Sequence, residues 1–246
     1  EKNIFKYFFH KNRTRFHNYS KYSPLDIKSL HTKFYDNFIY LKCYLYSKKL
    51  RKKYYKISKD ISFFNDKKSK YILFAANFQP EKSTSPDGGY YYNHFDILKE
   101  LDNFCKKNKL YKIIYKEHPS QFLSKRFGFI EKDTDFYDKI SRLKNIFFAK
   151  QYISGKRLID ICELTVTATS ELGIQSNLLG KPAIVFGNVW FEKSPGIFKF
   201  KKNDNFEKLF FSINKLKISK KKLQNYFNGL DKKKNIFYYN FKKNNK

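Results

Sequence analysis

Five short apolar runs recur between residues 71 and 187, with helical stretches between them: Tyr71 to Ala76, Tyr111 to Tyr115, Asn145 to Ala149, Leu164 to Ala168 and Ala183 to Phe186. A strand buried on one face alternates apolar with polar residues, whereas a run that is apolar throughout has to be covered on both faces. Strands of that kind separated by helices specify a parallel sheet in an α/β layer architecture. The helical stretches fall at Asn93 to Lys107, where Phe95, Leu98, Leu101 and Cys105 share one face, at Asp133 to Leu143 and at Lys156 to Cys162. A shorter helix is expected from Gly173 to Gly180, with Pro182 soon after, the usual stop signal. Residues 69–200 therefore read as an α/β, Rossmann-like domain with helices on both faces of its sheet.

The flanks differ from this centre. The 246 residues carry a formal charge of +30, with 18 Lys+Arg against 5 Asp+Glu in residues 1–68, 20 against 14 in 69–200, and 14 against 3 in 201–246. A basic segment or linker at 1–68 and a basic tail at 201–246 are thus expected around a nearly balanced domain. Lys, Asn, Ile, Phe and Tyr dominate, residues whose codons can be written with A and T alone, so compositional drift accounts for much of the charge. Net charge bears on solubility and non-specific binding rather than on fold, and no specific nucleic-acid partner is expected.

From Asp26 to Ser58, Ile27, Leu30, Phe34, Phe38, Leu41 and Leu45 recur three and four apart, the pattern of an amphipathic helix. It reads either as a packing helix with a solvated basic face or as a helix lying on an anionic membrane surface. Further helices are expected at Asn205 to Leu216 and Lys220 to Phe227, with a frayed end from Asp231. Cys43, Cys105 and Cys162 are too scattered for a disulfide framework or a zinc site. No apolar run approaches the roughly 20 residues that span a bilayer, and the start lacks the apolar core of a signal peptide. A cytoplasmic protein is expected, with possible attachment at the inner face of the membrane. The chain starts at Glu1 and contains no Met, so it reads as a piece of a longer product.

Three polar clusters follow apolar runs: Gln79-Pro80-Glu81, Lys116-Glu117-His118-Pro119 and Thr169-Ser170-Glu171. An open α/β sheet binds its ligand outside the carboxyl ends of its strands, so these loops are the candidate site. His118 suits a phosphate oxygen and the charge that builds on a departing phosphate, with Lys116 as a nearby cation. As an isolated residue it equally suits a structural bond to a neighbouring loop. Thr169 and Ser170 suit either a phosphate at the start of the following helix or plain capping of that helix. After Gln79 the loop runs through Ser83, Thr84 and Gly88-Gly89 to Tyr90, Tyr91 and Tyr92, as a closing loop or a long surface turn. The chain lacks a dinucleotide fingerprint, a P-loop, a zinc motif and a Gly-x-Ser-x-Gly elbow, which removes the usual support for dehydrogenase, NTPase and hydrolase readings.

Taken in order, these segments resemble the bacterial capsule polysaccharide biosynthesis proteins, which include Kdo transferases and related glycosyltransferases of the GT-B fold. The likeness runs from Lys70 to Phe198: Gln79 to Thr84 resembles the family's first-strand loop, and Lys116-Glu117-His118-Pro119 its His-Pro motif. Thr169-Ser170 with Gly173 and then Gly180-Lys181-Pro182 resembles its hydroxyl loop, helix and next strand, and Gly187 to Phe191 with Pro195-Gly196 its aromatic loop. Many members have Gly where this chain has Ser170 and Glu where it has Gln175, a residue that can bond a ribose hydroxyl but cannot act as a carboxylate.

The resemblance implies the carboxyl-terminal, donor-binding half of a GT-B fold. It also implies a sugar moved from a CMP-activated acid such as Kdo to a bacterial surface glycan or glycolipid acceptor, with the CMP-sugar as donor and no other cofactor or metal. On this footing His118 and Glu81 are the catalytic candidates. Gln79, Lys116, Glu117, Thr169, Ser170, Glu171, Gly173 and Gln175 are the donor-binding candidates. The rivals are a CDP-alcohol phosphotransferase of the teichoic-acid type, a basic nucleic-acid-binding protein, and a donor-domain relic with structural duty only.

Overall fold

Strands form where the apolar runs lie: β1 (Lys70–Ala75), β2 (Tyr111–Lys116), β3 (Ile146–Phe148), β4 (Cys162–Thr167), β5 (Ala183–Val185) and β6 (Ile197–Lys199). They form one sheet in the order β3-β2-β1-β4-β5-β6, every pair parallel. Seven α-helices accompany them among the described residues: α1 (Leu30–Ile57), α2 (His94–Lys107), α3 (Thr134–Ser141), α4 (Gly155–Ile161), α5 (Leu172–Leu178), α6 (Phe206–Ile213) and α7 (Lys220–Lys232). This computed structural model describes residues 30–66, 68–79, 87–123, 132–213 and 215–232. The chain divides into two units, residues 1–43 and 44–246, and the sheet and the candidate site lie wholly in the second.

Alternation along the strands sends neighbouring side chains to opposite faces, and both faces are covered. Ile72, Phe74, Ile113, Tyr115, Leu164, Val166 and Ile184 pack against α2, α3 and α6. Tyr71, Leu73 and Ile114 meet Leu158 and Ile159 of α4 and Phe64, while Ala183 and Val185 meet Ile174 of α5 and Phe191. The helices carry their own start signals. Asn93 Oδ1 accepts from Phe95 N–H at 3.0 Å, Asp133 Oδ1 from Phe136 N–H at 2.8 Å, and Ser154 Oγ from Arg157 N–H at 3.3 Å. Such caps contribute about 1 kcal/mol each.

The core extends past the expected 69–200 span in both directions. Leu50 and Tyr54 of α1 have no exposed surface and join the main cluster, as do Phe206, Phe210 and Ile213 of α6. The Phe210 ring lies 4.6 Å from Phe104 and 4.9 Å from Tyr111. The described residues from Leu50 to Tyr54 and from Phe206 to Ile213 thus contribute to the core of the second unit. The sixth strand is also an addition: β6 is a three-residue edge strand ending in Lys199, too short to show a pattern. The start of the expected helix at Asp26 and the chain end beyond residue 232 lie outside the described residues. All three cysteines are buried free thiols, and burial pushes Cys105 up to about 12. No described helix is long and apolar enough to cross a membrane.

Candidate functional site

The chain leaves the sheet centre in opposite directions around β1, with β2 and β3 on one side and β4 to β6 on the other. That is the switch point at which the carboxyl-end loops diverge and leave a crevice. The β1 exit supplies Asn77, Phe78 and Gln79, all buried.

On the β4 side, Asn77 grips the hydroxyl loop with both ends of its amide. Its Nδ2 donates to Thr169 Oγ1 at 2.8 Å, and its Oδ1 accepts from Thr169 N–H at 3.0 Å. Thr167 Oγ1 donates to Ala75 O at 2.7 Å and accepts from Ser170 N–H at 2.9 Å. Ser170 Oγ accepts from Leu172 N–H at 3.3 Å, and its carbonyl accepts from Gly173 N–H at 3.0 Å. Ser170 thus stands one residue before Glu171, the N-cap of the seven-residue α5, and its hydroxyl and carbonyl oxygens take the Leu172 and Gly173 N–H groups. The β5 exit closes in from the other side: a Cβ on Gly187 would stand 2.5 Å from Thr169 Cγ2 and 2.7 Å from Asp87 O, so only glycine fits.

On the β2 side the alternation of the strand continues past its end, which turns Glu117 into the core beside Tyr115. The Glu117 carboxylate has no exposed surface. Its Oε2 accepts from Tyr115 Oη and Tyr137 Oη, each at 2.7 Å, and its Oε1 from Lys132 Nζ and His118 N–H, each at 2.8 Å. Lys132 is equally buried and also donates to Asn77 O at 3.0 Å. Desolvation holds its ammonium below the ordinary lysine range, against the pull of Glu117.

His118 itself is half-buried. Its Nδ1 accepts from Ser120 N–H at 3.1 Å, so the neutral ring carries its proton on Nε2. Gln151 Nε2 donates to His118 O at 2.9 Å and Pro119 O at 3.1 Å, while Lys116 Nζ donates to Gln151 O. Burial lowers Lys116 to about 8. Gln79 and Gln121 pair reciprocally: Gln79 N–H donates to Gln121 Oε1 at 3.1 Å, and Gln121 Nε2 returns a bond to Gln79 O at 2.9 Å.

The exit of β1 reaches two of the expected groups. Consecutive residues of the β1 exit touch them: Asn77 binds Thr169, and the Phe78 ring centroid lies 5.9 Å from that of His118. Ser170 follows Thr169, Glu171 is exposed beside it, Gly173 is buried in the first turn of α5, and Gln175 is half-buried one turn on. Three expected donor ligands make bonds within the protein. Gln79 spends its amide on Tyr92 O at 3.0 Å, Lys116 spends its ammonium on Gln151, and Glu117 is locked in the core. They hold the loops together. Glu81, Ser83 and Thr84 lie outside the described residues. Asn77, Gln121, Lys132 and Gln151 are members that sequence reasoning missed. Asn77, a polar residue directly after an apolar run, carried a usable signal; Lys132, in a patternless loop before α3, carried none.

Residues 6–228 match the family described as capsule polysaccharide biosynthesis protein. No curated protein matches the sequence. Among solved structures, the chain is similar to the beta Kdo 2,7 transferase of Thermosulfurimonas dismutans KpsC, with 17% identity, TM-score 0.44, and coverage of 76% of this chain and 52% of that one. It is similar to the UDP-GlcNAc 2-epimerase of Methanocaldococcus jannaschii, with 17% identity, TM-score 0.46, and coverage of 70% and 48%. It is also similar to the wall teichoic acid polymerase TagF, with 13% identity, TM-score 0.42, and coverage of 72% and 42%. The chain spans about half the length of these structures.

Proposed function

The chain belongs to the capsule polysaccharide biosynthesis protein family, and from that premise we propose that it is a glycosyltransferase, or the donor-binding half of one. In this reading it moves a sugar from a CMP-activated acid such as Kdo to a bacterial surface or capsular polysaccharide. The observation that carries the reading is the contact of adjacent residues Asn77 and Phe78 with Thr169 and His118 at the switch point of a parallel sheet. A phosphate at that lip would meet the His118 imidazole and the Thr169 side chain that Asn77 holds. Donors aimed where charge develops stabilise the departing CMP as the bond to the sugar breaks. Donor and acceptor are the only partners this chemistry needs, with no metal or further cofactor. Glu81 stays the candidate base on account of its place in the β1 loop. The lysines exposed along α1 and α7 suit peripheral attachment to an anionic inner membrane surface.

Thermal unfolding in the presence of CMP, CDP or UDP tests this. A ligand at a hundredfold excess over its Kd adds about 2.7 kcal/mol to stability, so CMP is expected to raise Tm in the wild type and not in His118→Ala. Protection by CDP with none by CMP would move the assignment to a CDP-alcohol phosphotransferase. No protection by any cytidine nucleotide would overturn both.

A further inference from the structure

We propose that the buried Glu117–Lys132 pair is a positioning device that sets the histidine loop and the hydroxyl loop at a fixed distance from each other. The inference rests on the reading of His118 and Thr169 as donor ligands and adds the residues that place them. An unbroken chain of contacts joins the two: Thr169 to the Asn77 amide at 2.8 and 3.0 Å, Asn77 O to Lys132 Nζ at 3.0 Å, Lys132 Nζ to Glu117 Oε1 at 2.8 Å, and Glu117 Oε1 to His118 N–H at 2.8 Å. The two ends are the proposed ligands, and the Glu117 and Lys132 side chains between them have no exposed surface.

The network is complete as well as buried. Both Glu117 oxygens accept twice, and the three N–H groups of Lys132 have three acceptors, the third being Tyr115 Oη at 3.4 Å. A fully satisfied buried network rigidifies what it joins. For fold stability alone such a pair is a poor choice, because apolar residues of the same volume are often neutral or better. What apolar residues could not do is bind the His118 amide and the Asn77 carbonyl at once. Those two backbone groups belong to strands on either side of a parallel pair, β2 and β1, whose exits are otherwise joined by the Gln79–Gln121 exchange further out.

The test uses the charge-neutral double variant Glu117→Gln/Lys132→Met in the full chain. Two signals are read: CMP affinity, and the NMR resonances of the His118 ring nitrogens and the Thr169 amide. The double variant is expected to fold, to shift both resonances although neither substitution alters those residues, and to lose about tenfold in CMP affinity, the scale seen when outer contacts of a site are removed. Tyr137→Phe serves as the control for general weakening, since it removes one bond to Glu117 Oε2 and keeps the ring that packs on Phe122 of the histidine loop; its CMP affinity should stay within about twofold of wild type.

Wild-type resonances in the folded double variant would overturn the proposal, and so would an equal loss of affinity in Tyr137→Phe. If the double variant does not fold, Lys132→Gln, which keeps a donor for Glu117, is read by the same signals and criteria. If wild type binds no cytidine nucleotide, the donor reading fails by itself, and the resonances still decide whether Lys132 governs Thr169 and His118.

Discussion

On the β2 side of the crevice the histidine loop is seated on buried charge, with a carboxylate and an ammonium that have lost all their water. On the β4 side neutral contacts among the described residues hold the hydroxyl loop: an amide, two hydroxyls and the close approach of Gly187. Both solutions fix a loop, but they fail differently. Neutral hydrogen bonds are worth about 1 kcal/mol each and can be lost singly. A buried charge that loses its partner leaves the other stranded. The charged half is accordingly the brittle one, sensitive to single substitutions and to pH, and the neutral half is sensitive mainly to shape.

The largest effect should come from breaking the charged half unevenly. Lys132→Met strands the Glu117 carboxylate, which keeps its two tyrosine hydroxyls and the His118 amide but has no counter-ion. Breaking such a pair costs about 3–5 kcal/mol, readable as a fall in the urea midpoint with unchanged slope. A loss under about 1 kcal/mol would mean that the hydroxyls alone carry the charge, and the contrast between the two halves would vanish.

On the neutral half the matching insult is steric. Gly187→Ala puts a methyl group 2.5 Å from Thr169 Cγ2 and 2.7 Å from a backbone oxygen, a clash that a flexible side chain cannot absorb by itself. Overpacking of this kind costs roughly 1–3 kcal/mol. Because the displaced residue is Thr169, CMP protection should fall further than stability does. Gly173→Ala is the internal comparison: its Cβ would meet Phe191 and Thr167 side-chain atoms at 3.4 Å, ordinary contact, and nucleotide protection should survive.

The same contrast explains what was legible in the sequence. Mainly apolar runs marked five strands, because a strand covered on both faces has few polar positions to hide its pattern; Thr165 and Thr167 of β4 are themselves buried. β4 begins two residues earlier than its apolar run because its pairing with β1 shifts register between Tyr71 and Ile72, which seats Cys162 in the ladder and skips Glu163. His118 and Thr169 could be read because they stand at strand exits. Glu117 was misplaced for a reason the sequence did contain: it has the same parity as Ile113 and Tyr115, so the strand's alternation sends it inward even after the ladder stops. Lys132 was beyond reach, since nothing local predicts that a lysine 15 residues on will be buried against it.

His94 sharpens the comparison through pH rather than shape. It opens α2 with no exposed surface, its ring edge-on to Phe74 at 5.5 Å, and neither nitrogen has a hydrogen-bond partner. Desolvation first, and then the charge of Lys132, hold its pKa well below 6.5. The folded protein therefore keeps the ring neutral while the unfolded chain takes up a proton as pH falls past about 6.5. Its contribution is fully present above that value and is lost on acidification, at up to about 1.4 kcal/mol per pH unit until the lowered folded pKa is reached. His94→Phe keeps the ring packing and removes both orphaned nitrogens, so it should match or exceed wild-type stability at pH 7.5. The gap between the two proteins should then widen as pH falls from 6.5 to 5, with chemical denaturation at each pH as the readout. Because His118 and the remaining histidines are common to both proteins, only the difference between the curves reports on His94, and parallel curves would show that the charged half of the site imposes no proton linkage through this ring.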